Sequence, residues 1–132
     1  MITVLFACVQ NAGRSQMAAA LFNQMADPSR ARAISAGTNP GPHVHPEVLD
    51  AMREISVDLS TRRPQKLTDA LAHEAQWLIT MGCGDECPVV PGTHRDDWPL
   101  PDPKGQPIAQ VREIREEIAQ RVAVLIADHG WR

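Results

Sequence analysis

The chain has no run of basic residues, no interleaving of aromatic and basic side chains, and no apolar span long enough for a bilayer. The first two absences argue against nucleic acid as a partner and the third against membrane. The charge balance agrees, with 13 Lys and Arg against 16 Asp and Glu and a net charge of −3. The N-terminal apolar stretch lacks a basic flank and is too short for a signal peptide. No internal repeat and no linker divides the chain, so residues 1–132 are expected to form a single domain, and a hydrophobic fraction of 43% is enough for a core. Cysteine is scarce, at three residues, an odd number not spaced as a disulfide scaffold. Reactive thiols in a reducing, cytoplasmic compartment are the expectation.

What the chain does have is concentrated in Cys8-Val9-Gln10-Asn11-Ala12-Gly13-Arg14-Ser15. An apolar run, Thr3 to Ala7, precedes it and reads as a strand; an Ala/Met/Leu-rich stretch, Ser15 to Ala26, follows and reads as a helix. Five residues between Cys8 and Arg14 let the backbone curl until several N–H groups of Val9, Gln10, Asn11, Ala12 and Gly13 face one centre. Such a nest binds anions, and the first turn of the helix adds unpaired N–H groups and the positive end of its dipole. Gly13 can take a positive φ without penalty, and Asn11 tolerates one better than most residues. Arg14 brings a planar fork for two anion oxygens. The same field favours the thiolate form of Cys8, and Ser15 is expected to donate to the sulfur or to cap the helix. A lone cysteine is more often a small buried hydrophobe. Here a strand before it, a helix after it, and Asn, Gly, Arg and Ser between favour a nucleophile beneath a tetrahedral oxyanion.

Further along, strands and helices alternate. Ala31 to Ser35 reads as a second strand, Pro46 to about Glu54 as a helix, Thr68 to His73 as a short helix, Gln76 to Met81 as a third strand and Arg95 to Trp98 as a short fourth. Val111, Ile114, Ile118, Val122 and Leu125 recur at helical spacing in a last helix from Ile108 to about Asp128. This alternation predicts an α/β fold with a central parallel sheet covered on both faces, ligands binding beyond the carboxyl ends of the strands. The loops holding Cys8, Cys83 and Asp102 then share one rim.

Asp102 stands between Pro101 and Pro103. It suits a proton donor to an oxygen leaving a tetrahedral centre, although Pro-Asp-Pro is also an ordinary rigid turn. Cys83 and Cys87 lie in a glycine-containing loop. They fit a redox relay that resolves an adduct on Cys8, or two thiols packed for structure. With His94 they offer three metal ligands, but the spacing is no standard zinc knuckle and a fourth ligand is not evident, so no metal is expected. His43 and His45, in a loop, read as solvated surface residues.

These residues carry a resemblance. Cys8-x5-Arg14-Ser15 after the first strand, Ser35-Ala36-Gly37-Thr38 after the second and Asp102-Pro103 before the last helix resemble the low-molecular-weight protein tyrosine phosphatase family, over essentially the whole chain. Arg14-Ser15-Gln16-Met17-Ala18 and the Cys83/Cys87 loop resemble its arsenate reductase branch more closely. The resemblance implies a three-layer α/β/α fold with four parallel strands. It implies attack on arsenate by the Cys8 thiolate, with Arg14 and the loop amides holding the anion and Asp102 protonating the departing oxygen. A second thiol then resolves the adduct: mycothiol, glutathione, or a Cys83/Cys87 relay recycled by thioredoxin. Phosphate and sulfate are the expected analogues, a thioredoxin or a mycoredoxin/glutaredoxin system the expected partner, and no tightly bound cofactor is expected. Phosphatases of the family usually have Pro where this chain has Gln16 and Tyr where it has Lys104, and the chain contains no Tyr. Thioredoxin-coupled members set their relay cysteines further apart than Cys83 and Cys87. Some members bind potassium through an acid on the first helix, where this chain has Ala19. The alternatives are a phosphomonoesterase, acting on phosphotyrosine or a small phosphate ester, and a noncatalytic oxyanion- or metal-sensing protein.

Overall fold

A computed structural model describes residues 1–82, 87 and 90–132. Four parallel strands form one sheet in the order β2-β1-β3-β4. They are β1 (Ile2–Cys8), β2 (Ala31–Gly37), β3 (Trp77–Thr80) and β4 (His94–Asp97). The helices are α1 (Arg14–Met25), α2 (Pro46–Arg53), α3 (Asp69–His73) and α4 (Ile108–His129). The expected layered α/β fold is what forms. The core of β1 is apolar at successive positions because this inner strand is covered on both faces, and its side chains divide by parity. Val4, Phe6 and Cys8 join the α1, α2 and α4 side, while Leu5 and Ala7 join Leu67, Ala72 and Leu78 on the α3 side.

The second strand runs further than its sequence suggested, to Gly37, so Cys8 and Gly37 lie directly opposite one another at the rim. The fourth strand starts one residue earlier than expected, and all of its residues are exposed. Trp98, which drew the expected strand toward it, lies just past the strand end and packs 5.6 Å from the Phe6 ring.

Local chemistry sets the helix ends. Pro46 opens α2, and the Thr68 hydroxyl accepts the Leu71 N–H at 3.1 Å to start α3. Gly130, at φ 69°, ends α4 in the left-handed conformation. Glu54, just after α2, holds α4 through Arg112 at 2.6 Å and Arg115 at 2.8 Å. These two arginines, Arg112 first, hold its carboxyl at about 2 against an ordinary 4.5. The result is a fixed sheet whose β1 and β2 ends meet the start of α1.

Candidate active site

The loop from Cys8 to Arg14 curls because the segment after β2 takes up its carbonyls. Thr38 N–H donates to the Cys8 carbonyl at 3.2 Å, Asn39 to Val9 at 2.8 Å, Gly41 to Gln10 at 3.0 Å and His45 to Ala12 at 2.9 Å. With these carbonyls turned outward, the N–H groups of Val9 to Gly13 donate to no acceptor among the described residues. Free N–H groups along one curled loop are what an anion nest requires. Gly37 permits the close approach, since a Cβ there would lie 2.8 Å from the Asn11 nitrogen.

Of the two residues suited to a positive φ, Asn11 takes it, at φ 51°, whereas Gly13 has φ −144°. Gly13 is needed for space: a Cβ there would lie 2.8 Å from Pro103 Cγ. Nor does Ser15 cap α1, because it lies inside the helix, whose N-cap Gly13 offers no side chain.

Ser15 has the other expected task. Its Oγ lies 2.9 Å from Cys8 Sγ and 2.7 Å from Asn11 Nδ2. The Gln65 main-chain N–H donates to Asn11 Oδ1 at 3.0 Å, and a main-chain N–H can only donate. This fixes Oδ1 as the acceptor, so Nδ2 donates to Ser15. The Ser15 hydroxyl hydrogen is thereby left for the sulfur, where it stabilises negative charge. Gln16 Nε2 donates to the same Oδ1 at 3.2 Å, so a buried chain of amides runs from residue 65 to the sulfur.

Arg14 is buried, and its Nη1 donates to the Leu100 carbonyl at 3.0 Å. Gly82, at φ 98°, lies flat against the guanidinium; a Cβ there would fall on Nη1. Neither Leu100 nor Gly82 carries a sequence signal for this role beyond lying near the expected rim.

Cys8, Val9, Gln10, Ala12, Gly13, Arg14, His45 and Asp102 line one cavity of about 140 Å³. This is well below the ~300–1,000 Å³ of pockets for drug-sized molecules and suits a small anion. Cys8 and Arg14 thus line the same hollow, although Cys8 as a residue is only 2% exposed. Asp102 sits at the mouth, its Oδ1 accepting the Lys104 N–H at 3.0 Å, with buried Pro103 packed beside Gly13. A larger hollow of about 520 Å³ lies between β4 and α4, but the residues lining it, among them Trp77, Trp98 and Arg121, include no cysteine, serine or threonine.

His45 corrects the sequence reading. His43 is exposed, but His45 is 9% exposed and lines the cavity with Cys8 and Arg14. Burial, the largest influence, pushes its imidazole below the ordinary 6.5, against the pull of Glu47 and Asp102. Of the two relay candidates, Cys87 is buried and disulfide-bonded, and Cys83 lies outside the described residues. Among the described residues no group of His, Cys, Asp and Glu could hold a metal ion, and no helix is long and apolar enough to cross a membrane.

Residues 3–129 match the low molecular weight phosphotyrosine protein phosphatase family. A thioredoxin-dependent arsenate reductase of Corynebacterium glutamicum superposes with a TM-score of 0.84 at 42% identity. The match covers 97% of this chain and 61% of that one, so this chain spans less than two thirds of that relative's length. An arsenate reductase in a phosphate-binding state gives a TM-score of 0.82 at 31% identity, covering 97% of this chain and 98% of the other. The glutaredoxin arsenate reductase of a Synechocystis species is 32% identical over 127 residues, covering 94% of this chain and 95% of its own.

Proposed function

Because the chain belongs to the low molecular weight phosphotyrosine protein phosphatase family, and its relatives include arsenate reductases, we propose that it is an enzyme that reduces arsenate to arsenite at Cys8. One observation carries the reading: Cys8, its sulfur 2.9 Å from the Ser15 hydroxyl, lines a cavity with Arg14 and with loop residues whose amides donate to no described residue.

Arsenate enters the cavity and takes hydrogen bonds from the loop amides and Arg14. The Cys8 thiolate attacks arsenic, and Asp102 protonates the departing oxygen, which leaves as water. A second thiolate then attacks the Cys8 sulfur. The electron pair of the sulfur–arsenic bond goes to arsenic, arsenite leaves, and a disulfide forms. The two thiols thus supply the two electrons that take arsenic from its higher to its lower state. Phosphorus is not reduced this way, so phosphate would stop at an adduct that water must open.

The reaction needs an external thiol system to reopen the disulfide, and relatives coupled to thioredoxin and to glutaredoxin support that requirement. For the second thiol itself, two cysteines separated by three residues in one loop favour the Cys83/Cys87 relay over direct attack by glutathione or mycothiol. Arsenate turnover should be assayed in parallel with thioredoxin, glutathione/glutaredoxin and mycothiol/mycoredoxin systems, with an aryl phosphate assayed beside them without thiol. Arsenite formation in at least one system is expected. Rapid aryl phosphate hydrolysis with no arsenite in any system would make the chain a phosphatase. Cys83→Ser and Cys87→Ser should each lose turnover; if both keep the full rate, the second thiol comes from outside the chain.

A further inference from the structure

The mechanism above leaves one cavity residue without a task. His45 is held at both of its main-chain groups: its N–H donates to the Ala12 carbonyl of the anion loop at 2.9 Å, and its carbonyl accepts the Val48 and Leu49 N–H groups of α2 at 3.0 Å. Its ring lies beside Gly13, with Cδ2 3.5 Å from where a Cβ on that glycine would stand. The residue is 9% exposed, yet its ring nitrogens bond to no described residue. No sealed side-chain nitrogen or oxygen lacks a partner among the described residues, so the ring nitrogens must open onto accessible space. The space that His45 lines is the cavity above Cys8.

We propose that His45 is a further substrate-binding residue, whose imidazolium donates to the bound oxyanion as a second cationic wall beside Arg14. The inference rests on the oxyanion-pocket reading and deepens it. Burial disfavours the charged form of the ring. The charges facing it are Glu47 on α2, Asp102 and Lys104 beyond β4, His43 on its own loop, and Arg14 across the cavity. A dianion entering that cavity brings more negative charge than any of these, within hydrogen-bonding reach, and the ring takes a proton from solvent. A ring that gains charge only with the anion present costs the empty pocket no buried cation, and it favours a dianion over a monoanion.

Sulfate is the probe that isolates this step, because it carries no proton to give or take near neutral pH. Binding of sulfate to the Cys8→Ser protein, where no thiolate can take up the proton, should be measured by calorimetry at pH 7 in two buffers of different ionisation enthalpy. Uptake approaching one proton per sulfate is expected. Adding His45→Asn should abolish that uptake and weaken sulfate binding about 10- to 100-fold, the size of a charge-assisted hydrogen bond. In the otherwise unaltered enzyme the same substitution should raise the arsenate KM and leave kcat within a few-fold. NMR of the unsubstituted protein gives a readout that needs no variant: the His45 ring should titrate at higher pH with sulfate bound than without. Uptake and affinity unchanged by His45→Asn, or a ring titration that sulfate does not move, overturns the proposal. Failure of sulfate to bind any of these proteins would instead remove the anion pocket itself, together with the function built on it.

Discussion

Replacing Asn11 by alanine should cost about 3–4 kcal/mol of stability and most of the turnover. The side chain accepts from Gln65 N–H at 3.0 Å and from Gln16 Nε2 at 3.2 Å, and it donates to Ser15 at 2.7 Å. Alanine leaves the Gln65 N–H unpaired, at about 1 kcal/mol, and costs about 1 kcal/mol more for Gln16 and Ser15 together, the low end because these keep the Arg63 carbonyl and the Cys8 sulfur as partners. Alanine must also hold the φ of 51°, which adds about 1–2 kcal/mol. The Ser15 hydroxyl then no longer has a fixed direction, and the sulfur loses a donor worth about 10- to 100-fold in rate. Urea titration should give the stability loss as a fall in midpoint at unchanged slope. Asn11→Gly, free of the φ penalty, should recover about 1 kcal/mol of it without recovering the rate. An Asn11→Ala protein within about 1 kcal/mol of the parent, with normal turnover, would refute the assignment of this amide as the organiser of the loop.

Arg14→Lys keeps the charge but loses the fork and the 3.0 Å bond to Leu100, and should lower kcat/KM for arsenate by about 100-fold and stability by about 1 kcal/mol. In Gly82→Ala the new Cβ would fall on the Arg14 guanidinium at a φ of 98°, so oxyanion affinity measured by calorimetry should fall at least about tenfold and stability by about 1–2 kcal/mol. Glu54, with its folded carboxyl at about 2 against an ordinary 4.5, stabilises the fold fully above about pH 4.5 and loses that contribution as pH falls toward 2. Urea midpoints followed down that range should therefore drop more steeply in the parent than in Glu54→Gln, and parallel curves would contradict the role given to Arg112 and Arg115.

The strand–loop–helix at the N-terminus was legible because a strand buried on both faces must be apolar at successive positions, and because a loop that exposes its amides needs small or left-handed-tolerant residues between Cys8 and Arg14. The sequence does not say which of them takes the left-handed turn. Asn11 takes it because its side chain has three partners to hold, and Gly13 is kept small by Pro103. His45 was misread for a related reason. Its neighbours Pro40, Gly41, Pro42 and His43 have the composition of a solvated loop, yet that loop supplies the N–H groups for the Cys8, Val9, Gln10 and Ala12 carbonyls and so draws His45 into the site. Such pairing joins residues far apart in the chain and leaves no local pattern. The same holds for Gly82 and Leu100, whose contacts with Arg14 exist only once the third strand and the loop after the fourth lie beside the first. Strand β4 was blurred because an exposed edge strand need not alternate, and its one core side chain nearby, Trp98, falls outside it.

The central claim is that one sulfur, in one anion-binding loop, performs the attack on arsenic. Arsenite formation by the parent and by Cys8→Ser should be measured side by side with the thiol system that supports the parent best, while sulfate binding to both proteins reports that the loop is intact. The account predicts that Cys8→Ser still binds sulfate and forms no arsenite; arsenite produced at a comparable rate without that sulfur would contradict it.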